Sequence, residues 1–168
     1  MQKYNVLDLF CGCGGMSWGL KKKNFNIVAG IDNWEPALNT YAYNHGGTKA
    51  LNLDLSRVEP SEVLRAIGKR KNEIDVIVGG PPCQGFSKNI PAYGRFLEDP
   101  RNQLYRAYLR FVHEIRPKVA ILENVAEIYN AFGGIVRREI IENLEAEGYQ
   151  VEVQIVNMSE YGIPQKRR

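Results

Sequence analysis

Val76-Ile77-Val78-Gly79-Gly80-Pro81-Pro82-Cys83-Gln84-Gly85-Phe86-Ser87 is the stretch on which the fold turns. An apolar, β-branched run with nothing polar inside it reads as a strand buried on both faces, the pattern of a parallel sheet. Two glycines and two prolines then end the strand and fix a turn. Such a turn puts Cys83 at the carboxyl end of a strand, where open α/β sheets bind ligands. A thiol there can act as a nucleophile if its thiolate is stabilised. The plainer reading is a small residue on a tight loop.

Working outward, strands and helices alternate. Strands are predicted over residues 4–10, 25–31, 50–54, 74–78, 118–122 and 149–156. Helices are predicted over 16–23, 35–43, 62–71, 103–116 and 135–147, the fourth presenting Leu104, Tyr108, Phe111, Val112 and Ile115 on one face and ending at Pro117. Residues 88–100 lack a sustained period and read as a long loop, a length common in lids and binding segments. No repeat, low-complexity tract or linker interrupts the series. The expectation is one α/β domain over residues 1–168, with a doubly wound, mostly parallel sheet.

A chain of 168 residues, 44% hydrophobic and 24% charged, is long enough to bury a sizeable core. No run of eighteen apolar residues suggests a membrane span, and the N-terminus enters a strand-like run without a signal-peptide pattern. Three cysteines, Cys11, Cys13 and Cys83, cannot all pair with one another and suit a reducing compartment. Cys11-x-Cys13 lacks a second cysteine pair, so no metal site is expected. The net charge of +3 permits a nucleic-acid partner without demanding one.

The first strand runs into Cys11-Gly12-Cys13-Gly14-Gly15, a glycine loop that bends sharply and lets a ligand approach. It departs from the dinucleotide fingerprint, because Ser17 stands where the third glycine is expected. No Gly-Lys-Ser/Thr follows, which argues against a phosphate-binding loop; a tight turn with no ligand is the competing reading. Asp32 lies 20 residues after Gly12, an offset suited to a carboxylate accepting from ribose hydroxyls. Asp32 or Asn33 could equally cap the next helix. Asp54, at the end of the third strand, could accept from an adenine amine or cap a helix. His45 reads as a helix-end or surface histidine, His113 as structural, and Lys69-Arg70-Lys71 as a solvated helix end. Glu123 follows the apolar run Val119-Ala120-Ile121-Leu122, and a carboxylate ending a buried strand costs free energy unless paired or used. Asn124 would cap the next turn.

In order, these pieces resemble the cytosine-C5 DNA methyltransferases. Asp8-Leu9-Phe10-Cys11-Gly12-Cys13-Gly14-Gly15 is similar to their first motif, with Cys11 where a small residue such as alanine is usual. Asp54-Leu55 resembles the adenine-contacting pair, Gly80 to Ser87 the catalytic loop, Glu123-Asn124-Val125 the acid motif, and Gln165-x-Arg167 the start of the arginine motif. The family often has an aromatic residue beside the ribose acid; here that position is Asn33, and Trp34 follows.

The resemblance implies a fold of the S-adenosylmethionine-dependent methyltransferase type. It implies S-adenosylmethionine held by Phe10, Cys11, Gly12, Gly14, Gly15, Asp32, Asn33, Asp54, Leu55 and Pro82, and double-stranded DNA as substrate. Cys83, Glu123 and Arg167 would be catalytic, with Gln84, Ser87, Asn124 and Gln165 at the substrate, Arg95 touching DNA, and the 88–100 loop closing over a flipped-out cytosine. The expected setting is the cytoplasm or nucleoid. The family's target-recognition region and final core segments have no counterpart here, so the resemblance implies the catalytic half of such an enzyme: active alone, or a truncated or split-enzyme subunit that is inactive alone and binds a partner chain. A related RNA cytosine methyltransferase and a nicotinamide dehydrogenase are the rival readings; the dehydrogenase gives no reason for Pro-Pro-Cys-Gln or Glu-Asn-Val.

Overall fold

The computed structural model describes residues 3–82 and 103–165. The chain divides into two compact units, one of residues 1–82 and 103–123, the other of residues 83–102 and 124–168.

The first unit carries the sheet. Its strands are β1 (Asn5–Leu9), β2 (Asn26–Asp32), β3 (Lys49–Asn52), β4 (Val76–Gly79) and β5 (Val119–Leu122). Between them run α1 (Gly15–Lys22), α2 (Glu35–Asn44), α3 (Pro60–Ile67) and α4 (Leu104–Ile115). The strand order is β3-β2-β1-β4-β5, and every pairing is parallel. The chain moves outward from β1 to β3, then crosses to the other side of β1, which makes the gap between β1 and β4 the switch point where such sheets bind ligands. Register aligns the carboxyl ends: Leu9 pairs with Ile31 and Gly79, and Gly79 with Leu122.

Composition explains the centre of this sheet. Val6, Leu7 and Leu9 of β1 and all of Val76 to Gly79 are buried, as expected of strands covered on both faces. Pro60 opens α3 and Gly68, at φ 69°, closes it, with Val63, Leu64 and Ile67 buried between. On α4 the buried face is Tyr105, Tyr108, Leu109, Phe111, Val112 and Ile115. Leu104, expected on that face, is only partly buried, because Tyr105 takes the inward position in the first turn.

Three other expectations change. β5 has the apolar composition of a buried strand, but Val119 and Ile121 are 48% and 43% exposed. It is an edge strand, paired only with β4 among the described residues. β3 stops at Asn52, so Asp54 lies two residues beyond the strand. Residues 149–156 form no strand: their alternation leaves Val153 and Ile155 exposed, and without a paired neighbour among the described residues a period of two does not become a ladder.

The second unit contains α5 (Ile135–Ala146) and short 3-10 turns at Ala126–Tyr129 and Met158–Tyr161. Val136 and Leu144 are buried on α5, and Arg137 lies over the Tyr129 ring at 3.9 Å.

Candidate active site at the carboxyl edge of the sheet

β1 ends in a strained residue. Phe10 takes φ 56°, a left-handed conformation costly for a side chain with a Cβ, and it turns the chain abruptly into the glycine loop. The turn is pinned to β2. The Cys11 N–H donates to the Ile31 carbonyl at 3.0 Å, and the Gly12 N–H to Asp32 Oδ2 at 2.9 Å. The other Asp32 oxygen, Oδ1, accepts from the Trp34 N–H at 2.9 Å. Asp32 thus orders the loop and the start of α2 at once, although Trp34, and neither Asp32 nor Asn33, holds the capping position. A carboxylate oxygen accepts more than one hydrogen bond, so Asp32 keeps capacity for hydroxyl donors.

The loop has an open side and a filled side. A Cβ built on Gly12 or Gly15 would meet nothing within 4 Å. One built on Gly14, where φ is 91°, would collide with the His45 and Tyr41 rings. The filled side is polar, which the sequence did not announce. Asp8, in the middle of β1, is fully buried and accepts from Ser17 Oγ at 2.6 Å; Ser17 Oγ lies 2.9 Å from Tyr41 Oη. The Tyr41 ring stacks on His45 at 4.4 Å, and His45 Nε2 is 3.1 Å from the Gly14 carbonyl oxygen. Burial raises the Asp8 carboxyl to about 6 and lowers His45 below its ordinary value. His45 is therefore a helix-end residue, as its position suggested, but buried inside the protein. Two signals could have found it: a charged residue within the apolar run of β1, and Ser17 in place of a glycine.

On the other side of the switch point, β4 leads into Gly80 and Pro81, and β5 into Glu123. The Glu123 N–H donates to the Gly79 carbonyl at 2.9 Å, which carries the β4–β5 ladder one residue past the strands. The Glu123 side chain is exposed, yet its Oε2 lies 3.3 Å from where a Gly80 Cβ would be. The acid thus lies near the Gly80 backbone, and exposure, in place of the expected burial, spares it the desolvation cost.

The remaining expected site residues divide. Asp54 Oδ1 accepts from the Ser56 N–H and hydroxyl at 2.9 and 2.6 Å, and Oδ2 lies 3.3 Å from Arg57 Nε. The Ser56 contacts hold its carboxyl below the usual range. This is the turn-capping arrangement open at the sequence level. Leu55 is buried, with its carbonyl accepting from Arg110 Nη2 at 2.9 Å. Cys11 is buried and burial raises its thiol pKa, so it packs and is not poised as a nucleophile; Cys13 is exposed. Asn33 and Pro82 are exposed. In the second unit, Asn124 Oδ1 accepts from the Val125 N–H at 2.9 Å, and the Gln165 N–H donates to the Ile163 carbonyl at 2.7 Å. Cys83, Gln84, Ser87, Arg95, the 88–100 loop and Arg167 lie outside the described residues. Among those described, no group of three or more His, Cys, Asp or Glu is placed to hold a metal ion, and no helix is long and apolar enough to cross a membrane.

The glycine loop, Asp32 and a second acid beside Gly80-Pro81-Pro82 share one sheet edge, and residues 4–168 match the family model for C-5 cytosine-specific DNA methylase. The chain belongs to that family. It is 40% identical over 164 residues to the Type II methyltransferase M.AgeI of Thalassovita gelatinovora, covering 97% of this chain and 37% of that protein. It is 37% identical over 161 residues to the Type II methyltransferase M1.HphI of Haemophilus parahaemolyticus, covering 96% of this chain and 43% of the relative. The crystal structure of a candidate DNA modification methyltransferase encoded within an E. coli prophage superposes with a TM-score of 0.82 at 33% identity, over 98% of this chain and 44% of that one. This member of the family therefore spans less than half the length of the proteins it matches.

Proposed function

We propose that the chain carries the catalytic part of a DNA cytosine-5 methyltransferase that uses S-adenosylmethionine. The observation that carries this reading is the register Ile31–Leu9–Gly79–Leu122, which lines up the glycine loop, the approach to Cys83 and Glu123 on one edge. The cofactor fits the residues present. Open space faces Gly12 and Gly15, and Asp32 retains acceptor capacity for ribose hydroxyls. Phe10, Cys11 and Gly14 would contribute through the backbone of the loop, with Asn33, Asp54, Leu55 and Pro82 at its margins. When bound, S-adenosylmethionine supplies an electrophilic methyl group on a sulfonium sulfur.

Cytosine carbon 5 is a poor nucleophile. The Cys83 thiolate would add to carbon 6, forming a carbon–sulfur bond and leaving an enamine-like ring that is nucleophilic at carbon 5. Glu123 would hydrogen-bond or protonate ring nitrogen 3, spreading the developing charge. Arg167 would support the base or Glu123, with Asn124, Gln165, Gln84 and Ser87 at the substrate. Once carbon 5 has received the methyl group, leaving S-adenosylhomocysteine, a base such as water would take the carbon-5 proton, and the C–H electron pair would restore the 5,6 double bond and expel the Cys83 thiolate. The base must leave the duplex first, at a cost of about a few kcal/mol. DNA is the substrate class favoured over RNA, because the family model that matches is that of C-5 cytosine-specific DNA methylase.

The test is tritiated methyl transfer from S-adenosylmethionine to mixed-sequence duplex DNA, with Cys83→Ser as control and RNA as competitor. The chain is assayed alone and with the polypeptide encoded immediately downstream. Transfer that appears in either arm and is lost in Cys83→Ser supports the reading. Absence from both arms, with the cofactor still bound, contradicts it.

A further inference from the structure

We infer that Tyr41 and His45, both on α2, are positioning residues for the cofactor loop: Tyr41 by donating through Ser17 to Asp8, and His45 by donating to the Gly14 carbonyl. The inference rests on the S-adenosylmethionine reading of that loop.

The direction of each hydrogen bond follows from chemistry. An ionised carboxylate only accepts, so Ser17 gives its single hydroxyl proton to Asp8 across 2.6 Å. The 2.9 Å contact between Ser17 and Tyr41 must then be supplied by the Tyr41 proton. A carbonyl likewise only accepts, so His45 carries its proton on Nε2. His45 Nδ1 is then bare, buried and without a hydrogen-bond partner among the described residues. The groups facing His45 agree with a neutral ring: Tyr41 stacked on one face, Trp18 edge-on at 5.9 Å, and the Lys21 charge opposing a second cation.

The network reaches the loop at its functional end. Gly14 and Ser17 bracket the first turn of α1, and Gly15, with open space beside it, lies between them. The Gly14 carbonyl accepts from both the Trp18 N–H at 2.8 Å and His45. Both rings fit only because Gly14 and Gly30 lack side chains; a Cβ at Gly30 would strike the Tyr41 ring. A buried polar cluster that leaves Asp8 Oδ1 without a partner among the described residues is a poor way to stabilise a core, which apolar residues of similar volume would fill as well or better. Its value is in setting the height and direction of the loop.

The test is calorimetric titration of the whole chain with S-adenosylhomocysteine, well below the unfolding midpoint, with near-ultraviolet circular dichroism as the check on folding. Tyr41→Phe and His45→Leu are each expected to weaken binding about tenfold. His45→Gln, whose amide can still donate to Gly14, is expected to stay within about threefold of wild type. Tyr43→Ser, on the exposed face of the same helix, should bind as wild type does. Unchanged affinity in Tyr41→Phe and His45→Leu would overturn the inference, as would His45→Gln binding as weakly as His45→Leu. Should His45→Leu fail to fold, Tyr41→Phe and His45→Gln carry the same decision. A wild-type chain that does not bind the ligand would refute the cofactor reading, and the inference with it; binding by wild type and all variants alike refutes the inference alone.

Discussion

The two sides of the β1–β4 switch point are built on different terms. On the β1–β2 side, the glycine loop is tied down by the Ile31 carbonyl, by Asp32 and by a buried chain of polar side chains from α2. On the β4–β5 side, Glu123 is exposed, its strand is an edge among the described residues, and its side chain lies close to Gly80. Two carboxylates on one sheet thus have opposite surroundings: Asp8 is dry and under-satisfied, Glu123 wet and accessible. The difference separates a part whose geometry is finished inside the chain from an exposed part, which the proposed function puts at the substrate. The first is where stability is given up for position; the second is where a substitution can remove chemistry without disturbing the fold.

The largest effect expected from this contrast is at Glu123. Glu123→Gln should lower methyl transfer about 100- to 1000-fold while changing unfolding free energy by less than about 0.5 kcal/mol, measured by steady-state assay and urea unfolding. A comparable loss of stability would erase the distinction between the two sides.

Asp8 should behave in the opposite way. Its carboxyl is raised from 3.8 to about 6 by burial, so the folded protein binds the extra proton between those values. The favourable contribution is complete below about 3.8 and is lost as pH rises through about 6. That rise corresponds to about 3 kcal/mol. The unfolding free energy of Asp8→Asn relative to wild type should therefore increase by up to about 3 kcal/mol between pH 4 and pH 7. His45 works with the other sign: its value is lowered by burial, so its contribution is present above 6.5 and lost as pH falls. Repeating the comparison in the His45→Gln background separates the two groups.

Gly30→Ala should destabilise by about 1–3 kcal/mol, because its Cβ would displace the Tyr41 ring. Ile121→Thr, on the exposed edge strand, should change stability by less than about 0.5 kcal/mol. Together they sharpen the same comparison in chemical denaturation.

The sheet was legible in the sequence because its strands are apolar runs closed by glycine, proline or acid, and the described strands match five of the six expected. The sixth, over 149–156, had the right alternation and no described partner, and pairing is not written in one strand alone. The positions of Asp32 and Glu123 at strand ends were legible because chain spacing and the apolar runs before them fix where those strands stop. The Asp8–Ser17–Tyr41–His45 network was not, because it joins residues up to 37 positions apart, and each has an ordinary local explanation. Ser17 read as a broken glycine fingerprint is, in the fold, the donor that Asp8 requires.

The most direct test of the central claim uses a duplex in which 5-fluorocytosine replaces cytosine throughout one strand. Fluorine at carbon 5 cannot leave as a proton, so the Cys83–carbon 6 bond, once formed and followed by methyl transfer, has no route to break. Intact mass measurement after denaturation, with the chain and S-adenosylmethionine present, alone or with any polypeptide encoded downstream, should show a one-to-one adduct of this chain and the fluorinated strand carrying one added methyl group. The adduct should be absent in Cys83→Ser. An adduct that survives in Cys83→Ser, or no adduct when both cofactor and DNA are bound, would contradict the account.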